Sequence, residues 1–526
     1  MPVPRVFFCH LMHRLVSSTA RVLILPVLLG ACASLSRANP AANAGASRYT
    51  RATLPRAIDS MLASPALRSA SWGILIVDPL AADTLYSHNA SKLLIPASNQ
   101  KLVSSSVILA QLGPEFRYRT TFGVRGSVAG DTLRGDLAAI GRGDPTTSDH
   151  MKGDAMQPLR DIADSLKAHG ITRITGRVVA AGNAFPGSVA GATWPWDGLD
   201  ATSYAGVDEL LFNEGLSVIR VRAGAQPGDS ARVETKPAAS FPRIRNEVVT
   251  AAAPTPDVAD GARRPTRGFG RGGPGTRVMA WHDTAAAGVV ALRGHIALGD
   301  SAELVITQHD PDEAYVAALT EALTQRGIMV EGQPAQPDST KVDTLFAVQS
   351  VPLREILPMI LKPSQNQIAE AFLRTIGLER TGVGTADSGR KVVERQFAEW
   401  KIPADGFVVR DGSGLSRNDY LSPEAIVNIL DVMRRSPDFD LFYQSLPNAG
   451  VDGTIGSRMR GTPAENNLHA KTGTLPMVRS LSGYVRSADG RLLEFSILCN
   501  GWTAPQAEVD AVADSIGVAL ATMRVR

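Results

Sequence analysis

The sequence predicts an α/β (α+β) fold in which an antiparallel sheet is flanked by helices. Three observations carry that expectation. An apolar helical pattern follows Ser98, carrying Leu102, Val103, Ile108, Leu109 and Leu112, with Gly113-Pro114 as its stop. A strand-like pair, about 480–485 and 491–498, is hinged at Asp489-Gly490. A last helical pattern, with Pro505 near its start, sets Val509, Val512, Ile516, Leu520 and Met523 on one face, ready to pack on that sheet. At 526 residues the chain exceeds one core, so two or three domains are expected.

From the start of the chain, the basic residues ahead of Cys32 are Arg5, Arg14 and Arg21, with no acidic residue among them. The formal net charge of +3 therefore belongs to this leader, and the remainder is formally neutral. Nothing in that balance points to a nucleic-acid partner. Val22 to Leu29 is apolar, interrupted by Pro26, and too short to span a membrane, so residues 1–31 read as a secretion signal. Leu29-Gly30-Ala31-Cys32 resembles a bacterial lipobox, which would attach a lipid at Cys32; an ordinary signal cleaved near Ala31 or Ala33 is the competing reading. Met12 competes with Met1 as the start. Residues 32–50 are rich in Ala, Ser and Asn and read as a tether. Of three cysteines only Cys499 falls in the globular part, as a buried thiol with no partner for a disulfide. The stretch from Ala251 to Arg277 formally contains GxGxxG, but no strand leads in and no helix follows, so it reads as a mobile loop and not a dinucleotide site. The histidines lack metal-ligand spacing, and no metal or cofactor is expected.

The chemistry lies in three short strings: Ser98-Asn99-Gln100-Lys101, Ser364-Gln365-Asn366 and Lys471-Thr472-Gly473-Thr474. Acyl transfer needs a nucleophile, a base within hydrogen-bond reach and donors for the oxyanion. Positions i and i+3 of a helix share a face, which brings Ser98 and Lys101 together. Lysine is a base only when neutral; burial and a second nearby cation would both depress it, and Lys471 is a candidate for that cation. Ser364 and Asn366 follow Pro363 and are expected on an extended segment, pointing the same way, with Gln365 pointing away. Gly473, on the same strand face as Lys471, is expected to leave room for a substrate backbone, and the Thr472 and Thr474 hydroxyls to bind a carboxylate. The backbone N–H groups of Ser98 and Thr474 are the expected oxyanion donors. For each string alone an ordinary explanation exists: a capping serine with a solvated helix lysine, a loop, a turn. Their order along one chain argues against three coincidences.

S-x-x-K, an S-x-N and K-T-G in this order resemble the marks of β-lactamases and penicillin-binding proteins. Further segments narrow the resemblance. They are Pro96-Ala97-Ser98, Gly141-Arg142-Gly143-Asp144-Pro145, Trp194-Pro195-Trp196, Asp411-Gly412-Ser413-Gly414-Leu415-Ser416-Arg417, and Leu446-Pro447 with Gly450, Asp452-Gly453-Thr454 and Arg458. From about residue 50 onward the chain resembles the class C penicillin-binding proteins, the D-alanyl-D-alanine carboxypeptidase/endopeptidases of the penicillin-binding protein 4 type. The resemblance implies a transpeptidase-like catalytic domain at 51–120 and 345–526. It also implies one or two inserted, mainly β domains at 121–344, since Ser98 and Ser364 are about half the chain apart. It implies Ser98 as nucleophile, Lys101 as base, Ser364, Asn366 and Lys471 as catalytic partners, and Thr472, Gly473 and Thr474 at the substrate. It suggests a substrate contact for Asp197, whose register is one residue off the family's, so a solvated loop aspartate competes. The expected partners are peptidoglycan stem peptides, β-lactams as covalent inhibitors and a membrane through Cys32. A β-lactamase or esterase of the same fold, and a non-catalytic cell-wall-binding lipoprotein, are the alternatives.

Overall fold

The computed structural model describes residues 49–191, 193–195, 201–238, 241–253, 272–283, 286, 288–333 and 341–526. The expected leader, Cys32, Asp197 and most of the 251–277 stretch lie outside them.

A five-stranded antiparallel sheet runs in the order His469–Leu475, Val478–Arg486, Leu492–Asn500, Ser71–Asp78, Asp83–His88. The strand pair hinged at Asp489-Gly490 is therefore its centre. Alternation along Leu492–Asn500 divides the sheet's two faces, as a period of two requires. Leu493, Phe495, Ile497 and Cys499 pack with Ile58, Ile516 and Leu520 of the helices Leu54–Leu62 and Gln506–Thr522. Leu492 and Leu498 join the opposite core, built by Leu102, Phe372, Ile426 and Leu430 from helices Gln100–Leu112, Asn366–Thr381 and Pro423–Arg435. The sheet is covered on both sides, and its middle strands are buried almost end to end. Cys499 is a buried free thiol, and burial pushes it up to about 12. The last helix packs on the sheet as its apolar face requires.

Between the nucleophile helix and the helix Leu353–Leu361 the chain builds three further sheets. Strands Arg119–Ala129 and Asp343–Gln349 pair at the entrance and exit of this region, within a six-stranded sheet. That sheet is backed by helices Met156–Ala168 and Pro311–Gln325, whose Leu159, Ile162, Leu319 and Leu323 close its core. This part is mixed α and β. Two three-stranded sheets, centred on Val289–Ala297 and Leu216–Arg222, sandwich a separate small core of Ile219, Val221, Val278, Leu292 and Leu304.

Candidate active site

The nucleophile string forms a 3-10 turn, Ala97–Asn99, running into the helix Gln100–Leu112. Ala97, fully buried, sits at φ +47°, a left-handed geometry rare for a residue with a Cβ. Such strain persists only where the surroundings enforce it. Here Gly414 presses on the turn: a Cβ at Gly414 would lie 1.9 Å from the Ala97 carbonyl oxygen, and its φ is +83°. Gly414→Ala is accordingly expected to displace the turn and cut acylation by at least tenfold, measured as the rate of fluorescent penicillin labelling.

Ser98 caps no helix, and Lys101 is no solvated lysine, being fully buried. Lys101 Nζ donates to Ser98 Oγ at 3.1 Å, to Asn366 Oδ1 at 2.6 Å and to the Ser413 carbonyl at 2.8 Å. A second serine–lysine pair lies beside it, with Lys471 Nζ donating to Ser364 Oγ at 2.8 Å. The three strings, far apart in sequence, thus meet around two buried lysine side chains.

Burial lowers Lys101 to about 7, against the opposing pull of Asp411 and Glu370. Lys471 is held well below its ordinary range by burial and then by the charge of Lys101. Of the two expected depressors of Lys101, burial is the leading one, and the repulsion between the two lysines falls on Lys471.

The second string also departs from expectation. It is not extended: Ser364 adopts φ +66°, and Asn366 opens the helix Asn366–Thr381. Gln365 does not point idly away. Its Oε1 caps that helix at the Ile368 N–H, and its Nε2 donates to Glu214 Oε2 at 2.9 Å. The neighbouring side chains reach the same region, Asn366 to the Ser203 carbonyl at 2.9 Å and Gln367 to the Gly206 carbonyl at 2.6 Å.

Strand His469–Leu475 carries the third string at the edge of the sheet. Part of that edge is already paired, with Ala470 N donating to the Pro447 carbonyl at 2.9 Å and the Thr472 carbonyl accepting Lys471 Nζ at 3.0 Å. Gly473 makes room, but for the protein's own chain. A Cβ there would lie 2.1 Å from Ser480 Oγ, 2.5 Å from the Pro96 carbonyl and 3.0 Å from the Ser98 nitrogen. The glycine brings Ser98 against the strand. Asn99 Nδ2, donating to the Lys471 carbonyl at 2.8 Å, ties the same junction. Thr472 Oγ1 bonds Thr454 Oγ1 at 2.7 Å, which explains the Asp452-Gly453-Thr454 segment.

Ser98, Ser364, Asn366, Thr472 and Thr474 line one cleft of about 870 Å³. Ser203 and Tyr204 close one side of it and Met477, Trp502 and Gln506 another, none of which carried a signal in the sequence. Among the described residues no cluster could hold a metal ion.

The comparisons agree with this geometry. The D-Ala-D-Ala carboxypeptidase 3 (S13) family matches residues 54–266 and 284–522. A D-alanyl-D-alanine carboxypeptidase of Actinomadura sp. (strain R39) is 33% identical over 95% of this chain and 88% of that protein. The D-alanyl-D-alanine carboxypeptidase DacB of Haemophilus influenzae is 26% identical over 80% of this chain and 83% of its own length. The crystal structure of penicillin binding protein 4 from Haemophilus influenzae superposes with a TM-score of 0.71 at 22% identity, covering 88% of this chain and 97% of that one, which shows the shared fold. With the family match spanning most of the chain, the protein belongs to the D-Ala-D-Ala carboxypeptidase 3 (S13) family and is a serine D-Ala-D-Ala carboxypeptidase of the penicillin-binding protein 4 type.

Proposed function

We propose that Ser98 attacks the carbonyl carbon of the penultimate D-alanine of a peptidoglycan stem peptide. The observation that carries this is the pair of serine–lysine hydrogen bonds, Lys101 to Ser98 and Lys471 to Ser364, facing one cleft. Neutral Lys101 takes the Ser98 proton as the C–O bond forms. The backbone N–H groups of Ser98 and Thr474 receive the oxyanion. The C–N bond then breaks, and Ser364, backed by Lys471, passes a proton to the departing D-alanine amine. Water hydrolyses the acyl-enzyme. Asn366 orients the acyl-side carbonyl, while Thr472 and Thr474 meet the terminal carboxylate. Asp197 remains a candidate contact for the rest of the peptide. A β-lactam ring acylates the same serine because its strained amide mimics the scissile bond.

The same reading assigns 51–120 and 345–526 to the catalytic domain and 121–344 to an insertion that walls the cleft. A digest of purified muropeptides tests the substrate. Release of D-alanine from pentapeptide monomers is expected, and conversion of cross-linked dimers to monomers would add endopeptidase activity. Neither product with folded enzyme overturns the reading.

The same proposal puts the enzyme in the periplasm, tethered through a lipid on Cys32, supported by the apolar run from Val22 to Leu29 and the Leu29-Gly30-Ala31-Cys32 string. Among the described residues no helix is long and apolar enough to cross a membrane. Cys32→Ser is expected to move the protein from the membrane to the soluble fraction or leave it unprocessed. A wild-type protein already in the soluble fraction would mark an ordinary, discarded signal.

A further inference from the structure

Beneath the cleft, residues 411–416 form a peptide ribbon with two opposite edges. Its carbonyls face the nucleophile helix: Asp411 O accepts Gln100 Nε2 at 3.2 Å, Gly412 O accepts Ser104 Oγ at 2.9 Å, and Ser413 O accepts Lys101 Nζ at 2.8 Å. Its N–H groups face two buried carboxylates. Gly412 N donates to both Glu370 oxygens at 3.1 Å, and Ser413 N to Glu370 Oε1 at 2.9 Å. Gly414 N donates to Asp411 Oδ1 at 2.7 Å. Asp411 Oδ2 accepts Ser416 N at 2.7 Å and Trp194 Nε1 at 3.0 Å. Three successive peptide units are therefore each held between a carboxylate and a side chain of the nucleophile helix. The unit that joins Ser413 to Gly414 has Asp411 at its N–H and Lys101 at its carbonyl. Hydrogen bonds in series polarise one another, most strongly in a dry interior.

We propose that Glu370 and Asp411 are positioning residues for acylation, acting on Lys101 through the peptide ribbon they hold. Neither lines the cleft, so neither reaches substrate. Glu370 lies one helical turn beyond Asn366, which places it on the face that carries the Lys101 acceptor. Both carboxylates favour the protonated lysine, opposing its burial. Burial and the charge of Asp411 raise Glu370 to about 7. The charged groups of this neighbourhood include Lys471 on the edge strand, Arg374 one turn beyond Glu370 and faced also by Asp208, and Asp419, which burial and Asp411 push well above the carboxylate range and which Arg390 faces. The inserted region reaches the network through Trp194, and through Thr193 Oγ1, which donates to Ser416 Oγ at 2.7 Å.

This inference rests on Lys101 being the base, and the test separates the two. The rate of acylation by a fluorescent penicillin is measured from pH 5 to 9 for the full chain, its Glu370→Gln and Asp411→Asn variants, and Lys101→Arg. Removing either carboxylate charge makes the lysine give up its proton more readily, so the limb on which acylation rises with pH is expected to move down by roughly 0.5–1 pH unit. A uniform loss of rate with an unmoved limb is what a merely structural role produces, and it would overturn the inference. Retained acylation in Lys101→Arg would instead fault the reading of Lys101 as base. Should both carboxylate variants fail to fold, Trp194→Phe carries the test. It removes the donor to Asp411 along with part of a ring packed edge-on against Tyr204, so the position of the limb, not the rate, is the readout. Leaving that carboxylate freer to hold the ammonium form is expected to move the limb up; an unmoved or lowered limb overturns the inference.

Discussion

Ser98→Ala is expected to abolish both stable penicillin labelling and D-alanine release, a loss on the order of a million-fold in turnover, as when a serine hydrolase loses its nucleophile. The protein should remain folded. The Ser98 hydroxyl caps no helix and bonds only Lys101 Nζ among the hydrogen bonds of this site, so its removal changes stability by about 1 kcal/mol or less. Thermal melting beside the gel separates a dead enzyme from an unfolded one. Residual labelling at the wild-type rate would mean that Ser364, the other serine bonded to a buried lysine, carries the chemistry.

Lys101→Arg is the second large effect. It preserves a cation and long apolar stem, yet acylation is expected to fall by about 100-fold or more, the range that general-base catalysis supplies. Guanidinium does not deprotonate in a protein, so it cannot accept the Ser98 proton. In the unaltered enzyme the sign of the pH dependence follows from the lysine near 7. Above that pH the neutral base predominates and acylation levels off. Below it the neutral fraction, and with it the rate, falls about tenfold per pH unit. A rate flat between pH 5 and 8 would contradict the assignment, as would near-normal acylation by the arginine variant.

Much of this site was legible because its parts are short and locally determined. The i, i+3 pair Ser98 and Lys101 needs only a helix, and the apolar spacing to Gly113 announces one. The strand pair around Asp489-Gly490 announces the sheet that carries Lys471. What was misread depends on tertiary packing. No rule of sequence puts a serine at φ +66°, and Ser364 is held there by what surrounds it, so an extended segment was the natural and mistaken expectation. Gln365 looked dispensable because its partner, Glu214, comes from the inserted region. Gly473 looked like room for a ligand, whereas the space is taken by Pro96 and Ser98, residues brought alongside by the fold. Glu370 reads as an ordinary helix glutamate until the ribbon at 411–416 is seen to cover it. Ser203 and Tyr204 sit in a stretch with no periodicity at all.

The central claim is that a buried lysine activates Ser98 for acylation. Peptide mapping of the penicillin-treated enzyme by mass spectrometry tests it most directly. The account predicts one penicilloyl adduct per chain, on the peptide that bears Ser98, formed about 100-fold more slowly, or slower still, in Lys101→Arg and more slowly as pH drops below 7. An adduct on Ser364 or any other serine, or none at all on a folded enzyme that still releases D-alanine, would contradict it.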